Sequence, residues 1–388
     1  MITRFGVKNF KALRDVELEL TPLHVLIGPN DSGKTSILQA LAAVCRSVDM
    51  PLSQAFAGRW NGRELVWRDD PNSFVEFDIV ATTDQGTINY ETSIIFSHQG
   101  RSPLCGRESA SFDFKSHSIN KTNMGSIRTL VQLLAEEDSS ARLVHDVLSD
   151  VQLYRWVPRF LALPNAPDSS RRFRMEATGF GLALCLDDIL GYDRPLFDSL
   201  EKRFKLIFPE VEIIRLLPEE GFIAPTDDSA EVPQLTKRDG KGIYFQLANG
   251  GPLIPASQVS DGMLLILAYL TILHLPEPPR LLLIEEPENG IHPERLKKVL
   301  EILRDLIQSQ QHTQVLMTTH SPYVVDMFKP EEVTLCFKGD DGAVTVRRLS
   351  ESKAVREQVD VFTLGEIWTG DGDERLMEPA GMDEGAGE

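Results

Sequence analysis

The stretch Gly28-Pro29-Asn30-Asp31-Ser32-Gly33-Lys34-Thr35-Ser36 decides how the rest of this chain is read. It has the form G-x-x-x-x-G-K-[ST], a loop that wraps phosphate groups in nucleotide triphosphatases. Gly28 and Gly33 allow the tight curl that turns consecutive backbone N–H groups toward an anion. Lys34 brings a point charge to the β- and γ-phosphates, and the Thr35 hydroxyl is suited to Mg2+. Upstream, His24-Val25-Leu26-Ile27 reads as a buried strand feeding the loop. Downstream, residues 36–44 read as a helix whose N-terminus faces the phosphates. The expectation is a nucleotide site between a strand and a helix.

Three stretches in the last third of the chain fit the same chemistry. Leu281-Leu282-Leu283-Ile284-Glu285-Glu286 is an apolar run ending in two acids, as in a central strand buried on both faces. The C-terminal edge of a parallel sheet is where ligands sit. Glu285 is therefore the candidate metal ligand, and Glu286 the candidate base for the attacking water. Residues 314–318 form a second buried strand that ends in Thr319-His320-Ser321-Pro322. One helix, residues 293–311, separates the two, so a right-handed crossover sets both in one sheet. His320 is then a candidate donor to the γ-phosphate. The third stretch, Val259-Ser260-Asp261-Gly262, opens an apolar helix at residues 264–273. It reads either as an ordinary cap or as an anion site.

With 388 residues, 42% hydrophobic and 25% charged, the chain has the composition of a globular protein with a large core. No apolar run is long enough for a membrane span, and the N-terminus alternates like a strand instead of a signal peptide. Cys45, Cys105, Cys185 and Cys336 show no C-x-x-C spacing, which suits reduced thiols in a cytoplasmic protein. The net charge of −18 excludes a generally basic nucleic-acid surface, so any DNA contact is confined to a local patch. The candidate patch is Arg155, Arg159, Arg171, Arg172 and Arg174, interleaved with Tyr154, Trp156, Phe160 and Phe173. The preferred reading of the same arginines is a solvated or ion-paired set in an acidic protein.

Along the chain, residues 1–27 read as strands with a bend at 9–13. Residues 74–80 and 88–96 alternate around Asp84-Gln85-Gly86 as an antiparallel hairpin. Residues 97–123 are polar and weakly patterned and read as loop. Helical spacing marks 127–153, broken by a fresh cap at Asp138, and then 180–190 and 196–208. A strand follows at 211–214, and a second hairpin spans 243–253. Residues 370–388 are Gly-rich and acidic and read as a disordered tail.

Taken with Asn9-Phe10-Lys11 and Glu285-Glu286-Pro287-Glu288-Asn289-Gly290-Ile291-His292-Pro293, these motifs resemble the ABC-type ATPase heads of the RecF/SMC/OLD group. Stand-alone bacterial AAA family ATPases are similar. The resemblance runs over residues 1–369 and implies an α/β P-loop fold. That fold has a mainly parallel central sheet, an antiparallel β subdomain and a helical lid at about 97–242. It implies ATP and Mg2+ as cofactors, with Thr35 and Glu285 on the metal and Lys34, Glu286 and His320 in catalysis. It also implies a homodimer in which Ser260, Asp261 and Gly262 of one copy face the phosphates held by residues 28–36 of the other. Asn289, Gly290 and His292 would line that boundary. Phe10 and Lys11 either border the adenine or, for Phe10, belong to the core.

The chain departs from the family in places. Val259 replaces the usual Leu, Ser-Asp-Gly stands where transporter and SMC heads have Ser-Gly-Gly, and the first acid is Glu285 where most ABC ATPases carry Asp and this subgroup commonly has Glu. The glutamine that senses the metal has no evident position. Coiled-coil arms and zinc-hook cysteines are missing, and about 68 residues follow His320, too few for a Toprim nuclease. The expected function is an ATP-driven dimeric switch in DNA repair or antiphage defence, with a separately encoded nuclease or effector. The alternatives are a nucleotide-gated scaffold with negligible hydrolysis and the nucleotide-binding subunit of a transporter.

Overall fold

The computed structural model describes residues 1–380 apart from 59–61, 70–73, 98–101, 115–117, 122–124, 169–171, 224–233 and 311. Contacts gather the chain into two units. The first comprises Met1–Val151, Arg280–Leu283 and Gln314–Glu388, and the second Gln152–Pro279 and Ile284–Thr313.

In the first unit, β1 (Ile2–Phe10) and β2 (Leu13–Glu19) pair antiparallel with Val7 opposite Val16. The chain reverses through Asn9 and Lys11, both at positive φ (61° and 51°). Next comes β3 (Leu23–Ile27), five buried residues in a row. Then β4 (Val75–Thr83) and β5 (Gly86–Ile95) form the expected hairpin. Phe5, Phe10 and Phe56 surround Phe77 of β4 at ring separations of 5.9–6.5 Å. Phe10 is thus a core residue, 2% exposed.

The segment read as loop, 97–123, instead holds β6 (Leu104–Phe112) and β7 (Ile119–Lys121). These complete an antiparallel sheet of order β2-β1-β4-β5-β6-β7. A buried acid hides the alternation there. Glu108 is fully buried on β6, where Tyr90 Oη donates to Oε1 at 2.9 Å and the Leu130 and Val131 N–H groups donate to its two oxygens. Burial pushes its carboxyl above the usual range.

A second six-stranded sheet has the order β15-β14-β3-β13-β12-β8. Its members are β8 (Val151–Tyr154), β12 (Leu281–Glu285), β13 (Gln314–Thr318), β14 (Val333–Lys338) and β15 (Val344–Arg348). β3 runs parallel to β13 and β14, and β15 pairs antiparallel with β14. Strands β8 and β12 open in the first unit and run on into the second. The acidic tail is also partly ordered. The helix Leu364–Leu376 continues into it, with Arg375 Nη1 on Asp371 at 2.7 Å and Leu376 fully buried. Residues 381–388 of that predicted tail lie outside the described residues.

The second unit is built on β9 (Val211–Ile223), β10 (Gln234–Leu247) and β11 (Ile254–Pro255), an antiparallel sheet of order β11-β10-β9. Its core helix is Asp261–Leu273, buried at every position from Gly262 to Ile272. A helix apolar all round must be enclosed. The helices Leu182–Tyr192, Arg194–Ile207 and Pro293–Ser309 pack on it. Their apolar stripes include Leu186, Leu200, Phe204, Leu296 and Leu303, all buried. Each such side chain contributes roughly 1.5–3 kcal/mol through burial.

Candidate nucleotide site

The first unit carries the phosphate loop. β3 delivers the chain to Gly28, whose φ of 134° and close packing exclude any side chain: a Cβ there would lie 2.3 Å from Cys336 O. Gly33 is likewise at positive φ (91°), and its Cβ would meet Val344 Cγ2 at 2.5 Å. Between them Asp31 adopts φ 66°, and its carboxylate accepts a 2.7 Å bond from Lys338 Nζ. Lys34 folds back over the loop, 6% exposed, donating to Gly28 O and Pro29 O, each at 2.7 Å. The helix Lys34–Arg46 follows, with no side chain capping its N-terminus and no acid in its first turn. An uncapped, acid-free helix start beside a lysine fits a phosphate chain. Thr35 and Asn30 are exposed, whereas Ser32 is buried.

β13 brings His320 to the same edge. Its register pairs Thr318 with Leu26, so two residues further on His320 is level with Gly28. Thr319 is fully buried, its N–H on Leu26 O at 3.0 Å and its hydroxyl accepting from Ser321 N–H at 3.0 Å. These bonds hold the strand end while His320 stays exposed. Burial pushes the neighbouring Cys336 thiol up to about 12, which keeps it protonated. A cleft of about 470 Å3 in this unit is lined by Lys11, Arg63, Trp67, Arg68, Lys338 and Asp341, among others. Sequence reading passed over Arg63, Trp67 and Arg68, which lie in an irregular stretch with no periodicity to mark them.

The second unit carries the acids and the serine motif. Glu285 ends β12, and Arg155 Nε stands 3.5 Å from its Oε2. Glu286 takes φ 47°, an uncommon conformation for a residue with a long side chain. Asn289 secures it, donating from Nδ2 to Glu286 Oε2 at 2.7 Å. Ser260 is the N-cap of the helix Asp261–Leu273, makes no side-chain capping bond, and is exposed together with Asp261. Gly262 is buried, and a Cβ on it would lie 3.5 Å from Gly290 O. A Cβ on Gly290 would in turn lie 3.3 Å from Leu265 Cδ1 and 3.5 Å from Asp261 Cβ. The turn after the acids therefore rests on the first turns of the serine-motif helix. His292 is exposed and caps the next helix, its Nδ1 accepting from Glu294 N–H.

Residues 28–36 and His320 thus belong to one unit, and Ser260, Asp261, Gly262, Glu285, Glu286 and Asn289 to the other. Among the described residues no three His, Cys, Asp or Glu side chains cluster to hold a metal. Mg2+ takes one or two protein oxygens, substrate phosphates and water in place of a protein cage. Thr35 and Glu285 have the hard oxygen donors such an ion prefers. In the predicted Arg patch, Arg155 pairs with Glu285 and Arg172 with Asp188 at 3.6 Å. Arg159 lies over the Phe160 ring, and Arg171 is outside the described residues. Among the described residues no helix is long and apolar enough to cross a membrane.

Residues 1–138 match the family described as "AAA ATPase domain". The OLD nuclease of Thermus scotoductus is 23% identical over 372 residues, which cover 90% of this chain and 65% of that protein. This chain therefore spans about two thirds of that relative's length. An ATP/GTP phosphatase of Helicobacter pylori is 20% identical across 89% of this chain and 95% of its own. Among solved structures, an Smc head bound to the C-winged helix domain of ScpA aligns over 89% of this chain and 97% of that one, with a TM-score of 0.53 at 16% identity. The fold is thus that of an SMC-like head, a mixed sheet beside an antiparallel β subdomain. Residues 127–326, just over half of the chain, match the family described as "AAA domain, putative AbiEii toxin, Type IV TA system", and the protein belongs to that family of AAA ATPases.

Proposed function

We propose that this protein is an ATP-binding and ATP-hydrolysing switch that works as a dimer with composite active sites. The observation that carries the reading is the phosphate loop itself. Gly28 and Gly33 are held at positive φ by walls that admit no side chain, Lys34 lies across the loop, and an uncapped helix starts behind it. In this reading residues 28–36 bind the triphosphate, and Lys34 neutralises its β- and γ-oxygens. Thr35 and Glu285 hold Mg2+, which supplies charge neutralisation on the transferred phosphoryl group. Glu286 orients and deprotonates water, with Asn289 fixing its carboxylate, and His320 donates to the γ-phosphate.

The exposure of Ser260 and Asp261 supports a second copy as the missing wall, with the serine motif of one subunit on the phosphates of the other. ATP binding then closes the dimer, and hydrolysis opens it. The cleft beside the loop, with Trp67 and Lys11, suits the base and ribose. Likeness over 22% of the chain to a DNA replication and repair protein RecF supports a role in DNA repair, with antiphage defence as the other setting and a separate nuclease or effector as the partner in either. The test is Mg2+-dependent ATP turnover combined with light scattering. Glu286→Gln is expected to abolish turnover and accumulate an ATP-bound dimer. Turnover at the unaltered rate in that variant removes Glu286 from the mechanism.

A further inference from the structure

Arg155 stands beside the carboxylate to which the proposed function assigns the metal. Its Nε is 3.5 Å from Glu285 Oε2, and the Glu285 side chain is only 8% exposed while that of Arg155 is 77% exposed. One carboxylate removed from water needs a cation close by, and here a guanidinium meets that need. The backbone around Arg155 is tied down. Its N–H donates to Ala177 O at 2.8 Å, and Val157 N–H donates to Thr178 O at 2.9 Å. On one side Tyr154 is buried; on the other the Trp156 ring meets Tyr269 edge-on at 4.5 Å. Gly179, at φ 95°, lets the strand end approach: a Cβ there would come 3.2 Å from Trp156 Cδ1. The backbone of the segment is held on both sides, and the long side chain of Arg155 is exposed.

We propose that Arg155 is a positioning residue that holds Glu285 in the metal-free protein and gives way when the metal arrives, so that the two cations compete for one carboxylate. The proposal rests on the reading of Glu285 as a metal ligand. Arginine remains charged throughout the working pH range, so the competition is set by charge and reach alone.

The test is Mn2+ binding to the full chain in the presence of a non-hydrolysable ATP analogue, followed by electron paramagnetic resonance. Arg155→Ala is expected to tighten Mn2+ binding about five- to tenfold, as expected for the loss of one competing, partly screened charge. Arg155→Lys, which keeps the charge, stays within about twofold of the wild type. Glu285→Ala weakens Mn2+ binding at least about tenfold. If Glu285→Ala weakens binding while Arg155→Ala leaves it unchanged or weaker, the competition is overturned and the metal reading stands. If Glu285→Ala leaves Mn2+ binding intact, the metal reading falls and the proposal with it. The exposed Arg155 side chain can be removed without opening the core, and an unchanged melting temperature confirms that the comparison is between folded proteins.

Discussion

The phosphate loop and the acid-bearing strand end present different parts of the polypeptide. In the loop the backbone itself is the surface on offer. Gly28 and Gly33 are positioned by contacts that leave no room for a Cβ, and the neighbouring strands β14 and β15 supply those walls. At the strand end the backbone is a mount, and the side chains Glu285, Glu286 and Asn289 are the surface. A loop made of backbone is sensitive to any added atom, whereas a site made of side chains is sensitive to which atom sits at the tip.

That contrast sets the expected order of effects. The largest separates the two regions by function. Lys34→Ala should weaken ATP binding at least about 100-fold, while Glu286→Gln should lower turnover about 100-fold or more with binding retained. Nucleotide fluorescence titrations and steady-state ATPase rates on both variants check this, and equal loss of binding in both would erase the distinction. Next is Gly28→Ala, which adds a single carbon 2.3 Å from Cys336 O at positive φ. It should destabilise the protein by about 2–3 kcal/mol, read from the urea midpoint. Pro287→Ala, at the other region, should cost less than half of that.

Acid should also act on the strand that feeds the loop. His24 is buried between Thr21 Oγ1 and Thr334 Oγ1, and burial with the nearby Arg348 charge lowers its pKa to about 3. Its folded value lies below the unfolded one, so the unfolded chain binds the proton first. The stability it contributes is complete above about pH 6.5 and is lost as pH falls toward 3. His274, in the second unit, is lowered too, by burial before the Arg203 charge, while its Nδ1 contact with Leu270 O partly opposes this. A His24→Asn variant should flatten the acid limb of the melting curve more than His274→Asn does. The smallest effect is expected at exposed pairs. Removing Arg14, which pairs with Asp341, or Arg194, which pairs with Asp198, should shift stability by less than about 0.5 kcal/mol in either unit.

Much of the architecture was legible because its signals are local. The apolar runs of β3, β12 and β13, the loop glycines, and the Asp138 cap, which accepts from Ser140 and Ala141 N–H, are all written in consecutive residues. β6 and β7 were not legible, because Glu108 sits where alternation calls for an apolar residue and its partners Tyr90 and Leu130 lie 18 and 22 positions away. The helix that runs into the tail as far as Leu376 was missed for the same kind of reason. Its acids read as solvated, yet Asp373 accepts from Trp368 Nε1 and Leu376 has a buried place waiting. At the candidate site the residue types were evident and the pairings were not. Lys338 meets Asp31 across 307 positions, and Arg155 meets Glu285 from a segment that sequence grouped with other arginines.

The left-handed backbone at Glu286 has a consequence for how the protein ages and evolves. A carboxylate is kept at a position that a glycine would occupy more comfortably, by roughly 1 kcal/mol. A glycine variant there would give up chemistry and gain durability, so a heat-challenged library should enrich for silent proteins that outlast the working one.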